Sequence, residues 1–332
     1  MHFHQWKRRD FVTLLGATAA WPLAARAQQP GKVWRIGFLS SLPRGASGSG
    51  LYAGFQQGMR ELGYVEGQHF VSEWRSAEGK YERFPELAAE LVRLKMDVLI
   101  SGLTLGVRAL QQATNTIPIV IAYSIDPVGN RLVDSLANPG GNITGLAGSS
   151  DDSAPKQLEL LTAVVANPSR LAILGNPDNL TYPSVRKSAQ DAAEKAGLSL
   201  IVLEARNAEE IESVLATATK ERAQGLLVAG DGVFFGQQQR LAQFALKIHL
   251  PTMFPQREYV EAGGLMSYGE NLSQFFRRAA SFVDKIIKGA KPRDLPIEQP
   301  TKFNLVINRR TADALGVTIP PQLYIFADEV IE

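Results

Sequence analysis

Short apolar runs alternate with amphipathic stretches along most of this chain. Residues 33–39 are almost uniformly apolar, the signature of a strand covered on both faces. Tyr52, Phe55, Met59 and Leu62 then recur at three- and four-residue spacing, and Gly63 follows as a C-cap, which predicts a helix. The same reading predicts strands over 69–73, 98–101 and 117–124, with helices over 82–94 and 106–113 between them. Strand and helix in alternation, with the strands apolar throughout, imply a parallel sheet covered by helices on both faces.

A Gly-rich passage, Asn138-Pro-Gly-Gly-Asn-Ile-Thr-Gly145, interrupts the rhythm, which then restarts. Strands are expected over 171–174, 200–203, 226–229 and 252–254, and helices over 183–196, 209–222 and 237–248. Two successive sets of four βα units give an α/β fold of two Rossmann-like lobes, without residue-by-residue repetition. The last third adds a strand over 265–268, a strongly amphipathic helix over 272–288, the linker Lys291-Pro-Arg-Asp-Leu-Pro296, a strand over 303–307 and a helix over 311–315. These pieces must join sheets already laid down, so the chain crosses between lobes more than once. Several crossovers side by side would make a hinge.

The N-terminus follows a different rule. Lys7, Arg8 and Arg9 precede an apolar run over 11–23, which ends at Ala25-Arg26-Ala27, a small-x-small cleavage pattern. This is read as a secretory signal peptide over 1–27, and Arg8-Arg9-Asp10-Phe11 resembles its twin-arginine form. A membrane anchor is disfavoured, because the run is short of the roughly 20 residues a span needs and Gly16 and Pro22 interrupt it. Cleavage takes away four of the 35 basic and one of the 33 acidic side chains, leaving a nearly neutral product. That balance gives no basic surplus for nucleic acid. The chain has no Cys, which excludes disulfides, thiol catalysis and Cys-ligated zinc.

Catalytic chemistry finds little support. His69 and His249 alone survive in the mature chain, one beside a strand and one at a helix end, and both are read as structural. Nucleophile-elbow, zinc-protease and P-loop motifs are missing. Asp151-Asp152 is read as a helix N-terminus rather than a metal site. Gly48-Ser-Gly50-Leu-Tyr-Ala53 matches a dinucleotide fingerprint, but eight residues separate it from the preceding strand, so a loop is preferred and no cofactor is expected.

Small polar residues recur instead where the strands end, the place where open α/β sheets bind ligands. They are Ser40-Ser41, Ser101-Gly102 with Thr104, and Ser124-Ile-Asp126 in the first half. In the second half they are Asn176 with Asp178, Gly230-Asp231-Gly232 and Gln256-Arg257. Hydroxyls and N–H groups at helix N-termini suit a carboxylate, and a free carboxylate such as Asp231 suits an ammonium group. Tyr123, Tyr182, Phe234, Phe235 and Tyr268 are candidates for an aromatic wall.

Several passages resemble the solute-binding components of ABC importers, in the group called tryptophan/tyrosine-type, with the type I periplasmic binding protein fold. They include Trp34-Arg-Ile-Gly-Phe-Leu39, Gly54-Phe-Gln-Gln-Gly-Met-Arg-Glu-Leu-Gly-Tyr64 and Asp126-Pro-Val-Gly129. Glu258-Tyr-Val-Glu-Ala-Gly-Gly-Leu-Met-Ser-Tyr-Gly269, Leu295-Pro-Ile-Glu-Gln-Pro-Thr-Lys-Phe303 and the tail from Ala314 complete the match. The resemblance implies lobes of 33–146 plus 268–292 and 147–267 plus 302–332. It implies reversible capture of a small solute, an amino acid or aromatic carboxylate, in the cleft between them, without catalysis. The ligand set would be Ser40, Ser41, Gly102, Thr104, Ser124 and Asp126, facing Asn176, Asp231 and Tyr268; the wall candidate Tyr182 is read from the residues alone. It further implies a periplasmic monomer that docks on an inner-membrane ABC permease. The chain departs from the family at Ile125-Asp126-Pro127 and Gly102-Leu103-Thr104, where relatives carry Gly-Asp-Pro and a Gly-Thr-Thr-like loop. Two other readings remain open: a periplasmic sensor that presents its closed form to a membrane receptor, and an exported α/β enzyme. A repressor built on the same core would need a DNA-binding element where this chain has an export signal.

Overall fold

The computed structural model describes residues 32–44, 49–148 and 150–332. The expected signal peptide and Gly48 of the dinucleotide-like motif lie outside the described residues, as do the side chains of Asp151 and Asp152.

The first half builds a parallel sheet from β1 (Trp34–Ser40), β2 (Phe70–Ser76), β3 (Val98–Ser101), β4 (Ile119–Ile121) and β5 (Ile143–Gly145), in the order β2-β1-β3-β4-β5. Helices α1 (Ser49–Glu61), α2 (Phe84–Arg93) and α3 (Thr104–Ala113) alternate with them. Side chains divide by the two-residue period of a strand. Val98, Ile100 and Val120 pack toward α1, whereas Leu99, Ile119 and Ile121 pack toward α2 and α3.

α4 (Ser150–Val164) opens the second half. It continues with β6 (Arg170–Gly175), α5 (Tyr182–Lys195), β7 (Ser199–Glu204), α6 (Glu210–Lys220), β8 (Leu226–Val228), the short α7 (Gly232–Phe235), α8 (Gln238–Lys247), β9 (Thr252–Phe254) and α9 (Arg257–Glu261). β10 (Met266–Glu270) joins this second sheet, and α10 (Leu272–Ile287) then returns to the first, where it packs along α1. Finally β11 (Phe303–Asn308), α11 (Arg309–Leu315), α12 (Pro321–Phe326) and β12 (Glu329–Ile331) go back to the second sheet, in the order β12-β11-β10-β9-β8-β6-β7. Only the β10–β11 pair is antiparallel among the described strands of these two sheets.

The chain therefore passes between the sheets after β5, between β10 and α10, and before β11. Two of these crossings touch: Ala147 N–H donates to Glu298 O at 2.9 Å, and Glu298 N–H to Gly145 O at 2.9 Å. Residues 268–270, expected with the first lobe, stand in β10 of the second sheet. The turn into α10 is set by Asn271, whose side chain accepts from Gln274 N–H as an N-cap.

Three expectations change. The strand expected over 117–124 contracts to three residues, and the Gly-rich passage that looked like a break contains β5. Gly145 stands there with φ +131°, and a Cβ would run into the Ile121 backbone, so the strand pairs with β4 only because the residue has no side chain. α12 and β12 were not expected. Among the described residues, no helix is long and apolar enough to cross a membrane.

One long-range clamp has a measurable pH signature. Tyr64 follows α1 and donates to Asp284 Oδ1 of α10 at 2.8 Å. Burial first, then the hydrogen bond and negative charge of Asp284, push the phenol up to about 12 from 10.0. The folded chain holds this proton more tightly than the unfolded chain does, so the contribution is whole below pH 10 and is lost as the pH rises toward about 12. Denaturant titrations at pH 9 and 11 are expected to show an alkaline loss of stability that is smaller in Tyr64→Phe; equal losses in both proteins refute the clamp.

Candidate functional site

Between the carboxyl ends of the two sheets lies a cavity of about 130 Å³. A buried water needs roughly 10–15 Å³ on this measure, so the space is of the order of ten waters, the scale of a small metabolite. The first lobe contributes the end of β1 and the loop after it (Ser40, Ser41, Leu42), the β3–α3 junction (Ser101, Gly102, Thr104), Tyr123 and Phe276. The second contributes Gln157, Asn179, Asp231, Gln256 and Glu270.

Its floor on the first-lobe side is aromatic. Trp74 in β2 stacks on Phe38 at 5.0 Å between centroids and meets Tyr52 edge-on at 5.6 Å. The indole N–H donates to Leu42 O at 2.9 Å, which pins the β1 loop to the ring. Arg44 lies 4.3 Å above the Tyr52 ring and pairs with Glu66 at 3.2 Å, so the rim carries a cation.

Polar groups gather at the strand ends as the sequence implied, but their partners differ. Thr104 Oγ1 and Ser124 Oγ are 2.9 Å apart and buried, so these hydroxyls engage each other beside the start of α3. Ser40 Oγ accepts from Leu42 N–H at 3.1 Å, and Ser41 meets the second lobe at Gly232. A Cβ on Gly232 would collide with Ser41 Oγ and stand 2.9 Å from Ser41 Cβ and 3.0 Å from Tyr81 OH. One on Gly236 would stand 2.6 Å from a Leu42 methyl. The lobes touch here because α7 opens on one glycine and is capped by another.

Asp231 is not a free carboxylate. It is 7% exposed and, three residues past the end of β8, is the N-cap of α7. Oδ1 accepts from Val233 N–H at 2.8 Å and from Asn176 Nδ2 at 3.3 Å. Oδ2 accepts from Asn179 Nδ2 at 3.0 Å and from Tyr81 OH, of the first lobe, at 2.9 Å. Burial raises its pKa and the four donors oppose that rise. Tyr81 in turn sits well above its ordinary value, through burial and then the neighbouring Asp231 charge.

Other expected residues stand elsewhere. Asp126 is exposed with φ +43°, and its carboxylate accepts from Gly129 N–H at 2.8 Å, closing its own turn outside the cavity. The Tyr182 ring lies over Gly175, in the core between α5 and β6. Tyr268 stacks on Phe303 at 5.4 Å, and its carbonyl accepts from Gln157 Nε2 at 2.6 Å, so its neighbours rather than its ring line the space. Phe234 faces the second-lobe core from α7, Asp178 pairs with Arg206, and Arg257 pairs with Glu329. Tyr123 and Phe235 do line the wall. His69 Nδ1 accepts from Val65 N–H at 3.0 Å, and His249 ends a helix with φ +52°; both serve local structure.

Sequence reasoning missed Trp74, Tyr81, Asn179, Gln157 and Glu270. An aromatic just past the strand expected over 69–73 was a signal for Trp74, which stands inside β2. Nothing local marks Tyr81, which faces a partner 150 residues away.

Comparison with known proteins places this geometry. A family model described as ABC transporter substrate binding protein matches residues 44–331. A curated tyrosine-binding protein of Clostridioides difficile is 22% identical over 264 residues, 80% of this chain and 76% of that one. Among solved structures, an ABC domain in complex with L-Trp from Streptococcus pneumoniae superposes with a TM-score of 0.82 at 26% identity, covering 90% of this chain and all of that one. A conserved domain protein of Vibrio cholerae gives 0.83 at 26% identity, with the same coverage.

Proposed function

Because the chain belongs to the family of ABC transporter substrate-binding proteins, we propose that it is the capture component of an importer, trapping an amino acid or aromatic carboxylate by closure of its two lobes. The family is one of solute binders rather than enzymes, and its members work outside the cytoplasm beside a membrane permease. The observation that carries the reading is one cavity walled by both lobes, with Trp74, Phe38 and Tyr52 at one side and the polar groups of α3, Gln157 and Glu270 around it. A planar side chain suits the ring floor, and a carboxylate suits the N–H groups that open α3. A solute touching both lobes binds the closed arrangement better than the open one and shifts the population toward it. The closed surface is what the permease reads. The tyrosine- and tryptophan-linked relatives make those amino acids the first solutes to try. Export with cleavage near Ala27 and action as a monomer belong to the same proposal.

The test is a thermal-shift titration of residues 28–332 with L-tyrosine, L-tryptophan and 3-(4-hydroxyphenyl)propionate. At a hundred times Kd, a solute specific to the folded state adds about 2.7 kcal/mol, which moves the midpoint by about 5 °C. Midpoints that stay flat across amino acids and aromatic acids alike sink the assignment.

A further inference from the structure

We propose that Tyr81 is a latch that draws the two lobes together before any solute arrives, and that it does so by taking the carboxylate of Asp231 out of solute recognition. Tyr81 stands in the short turn after β2, its ring stacked on Phe84 at 5.6 Å within the first lobe. Its hydroxyl reaches across to the second lobe, donating to Asp231 Oδ2 at 2.9 Å and accepting from Gly232 N–H at 3.1 Å and Val233 N–H at 3.3 Å. One phenol oxygen thus uses both its donor and its acceptor capacity on the second lobe, at the point where Gly232 lets Ser41 approach. A hydrogen bond to a charged group is among the stronger ones.

The same geometry settles what Asp231 does. Its two oxygens accept Tyr81, Asn176, Asn179 and Val233 N–H, one pair each. An incoming ammonium would have to displace one of these donors, and displacing Tyr81 opens the latch. Asp231 therefore joins the lobes and organises α7, while Glu270, buried in the cavity wall at the β10–α10 crossing, is the carboxylate placed toward the solute. The assignment rests on the capture reading for its role, but not for its geometry.

Tyr81→Phe is the discriminating variant, since it keeps the ring on Phe84 and deletes only the hydroxyl. The chain has no cysteine of its own, so exposed Glu86 of α2 and Thr217 of α6 can be replaced by cysteine and spin-labelled as a unique pair. Without solute, the pair is expected to report a short-distance population that falls roughly tenfold in Tyr81→Phe. The Kd for L-tyrosine should weaken by the same factor, because apparent affinity scales with the binding-competent fraction. The loss should be equal for 3-(4-hydroxyphenyl)propionate, which lacks the amine. Identical distance distributions in the two proteins overturn the latch, as does a loss confined to the amine. If the distances shift and neither solute binds, the latch stands and the solute assignment falls; if both bind and the distances are unmoved, the reverse holds.

Discussion

Gly232→Val is expected to fold normally and to lose at least about a hundredfold in solute affinity, because a branched side chain there stands between the lobes. Ser41 Cβ and Tyr81 OH already lie 2.9 and 3.0 Å from where a Cβ would begin, and valine adds two methyls beyond it. Neither neighbour can retreat at low cost: Ser41 is 8% exposed in the loop that Trp74 holds, and Tyr81 is stacked on Phe84. Within the second lobe the substitution is mild. Asp231 still caps Val233, and position 232 opens a helix of only four residues. The variant therefore separates closing from folding. Scattering should show a solute-independent envelope larger than that of the wild type with saturating L-tyrosine, at an unchanged melting midpoint. A hundredfold loss is about 2.7 kcal/mol, the difference between a solute gripped from two sides and one resting on a single wall. Gly236→Ala is the graded control, because it meets only the end of the flexible Leu42 side chain. A Gly232→Val protein that binds and closes as the wild type does removes the glycine contact from the mechanism.

The contrast between Gly232 and Asp231 shows where a sequence stops being informative. Strand periodicity placed β3 and β9 to the residue and brought Ser40, Ser41, Gly102, Thr104 and Asp231 to one cleft, since the ends of parallel strands share a side by topology. Which of these polar groups faces the solute is decided by neighbours far away in the chain. Asp231 and Tyr81 meet across 150 residues, and no local pattern records that a phenol will satisfy the carboxylate. Asp126 failed to reach the cavity for a local reason: a positive φ and the Gly129 N–H fold its carboxylate back on itself. Tyr182 and Tyr268 read as wall residues because aromatics near strand ends serve binding and packing equally well. Here Gly175 and Phe303 receive them. β5 was hidden by composition, a three-residue strand among glycines.

Gly58→Val tests the other consequence of glycine placement, and it should cost stability rather than binding. α1 and α10 pack side by side although some 200 residues separate them, and α10 reaches the first lobe only by crossing from the second sheet. Gly54 and Gly58 lie one turn apart on the contact face of α1. A Cβ at 54 would meet Ser273 O, and one at 58 would meet Arg277 O, with Ala280 Cβ at 2.8 Å. The obstacle at both positions is the backbone of α10, which cannot rotate away, so the helices must separate. Separation would loosen Ala279, Phe282 and Val283, away from the cavity, and would strain the Tyr64–Asp284 clamp. Overpacking of a rigid contact costs about 3 kcal/mol, which lowers the melting midpoint by roughly 5 °C in a chain of this size. Gly50→Ala, on the same helix with open space around its Cβ position, should leave the midpoint within about 2 °C or raise it slightly. Solute-induced stabilisation should persist in both variants, because the cleft at α7 is untouched. Equal midpoints for Gly58→Val and Gly50→Ala would mean that α10 does not depend on the bare face of α1. The attachment of the crossing helix to the first lobe would then need another cause than the close approach of two backbones.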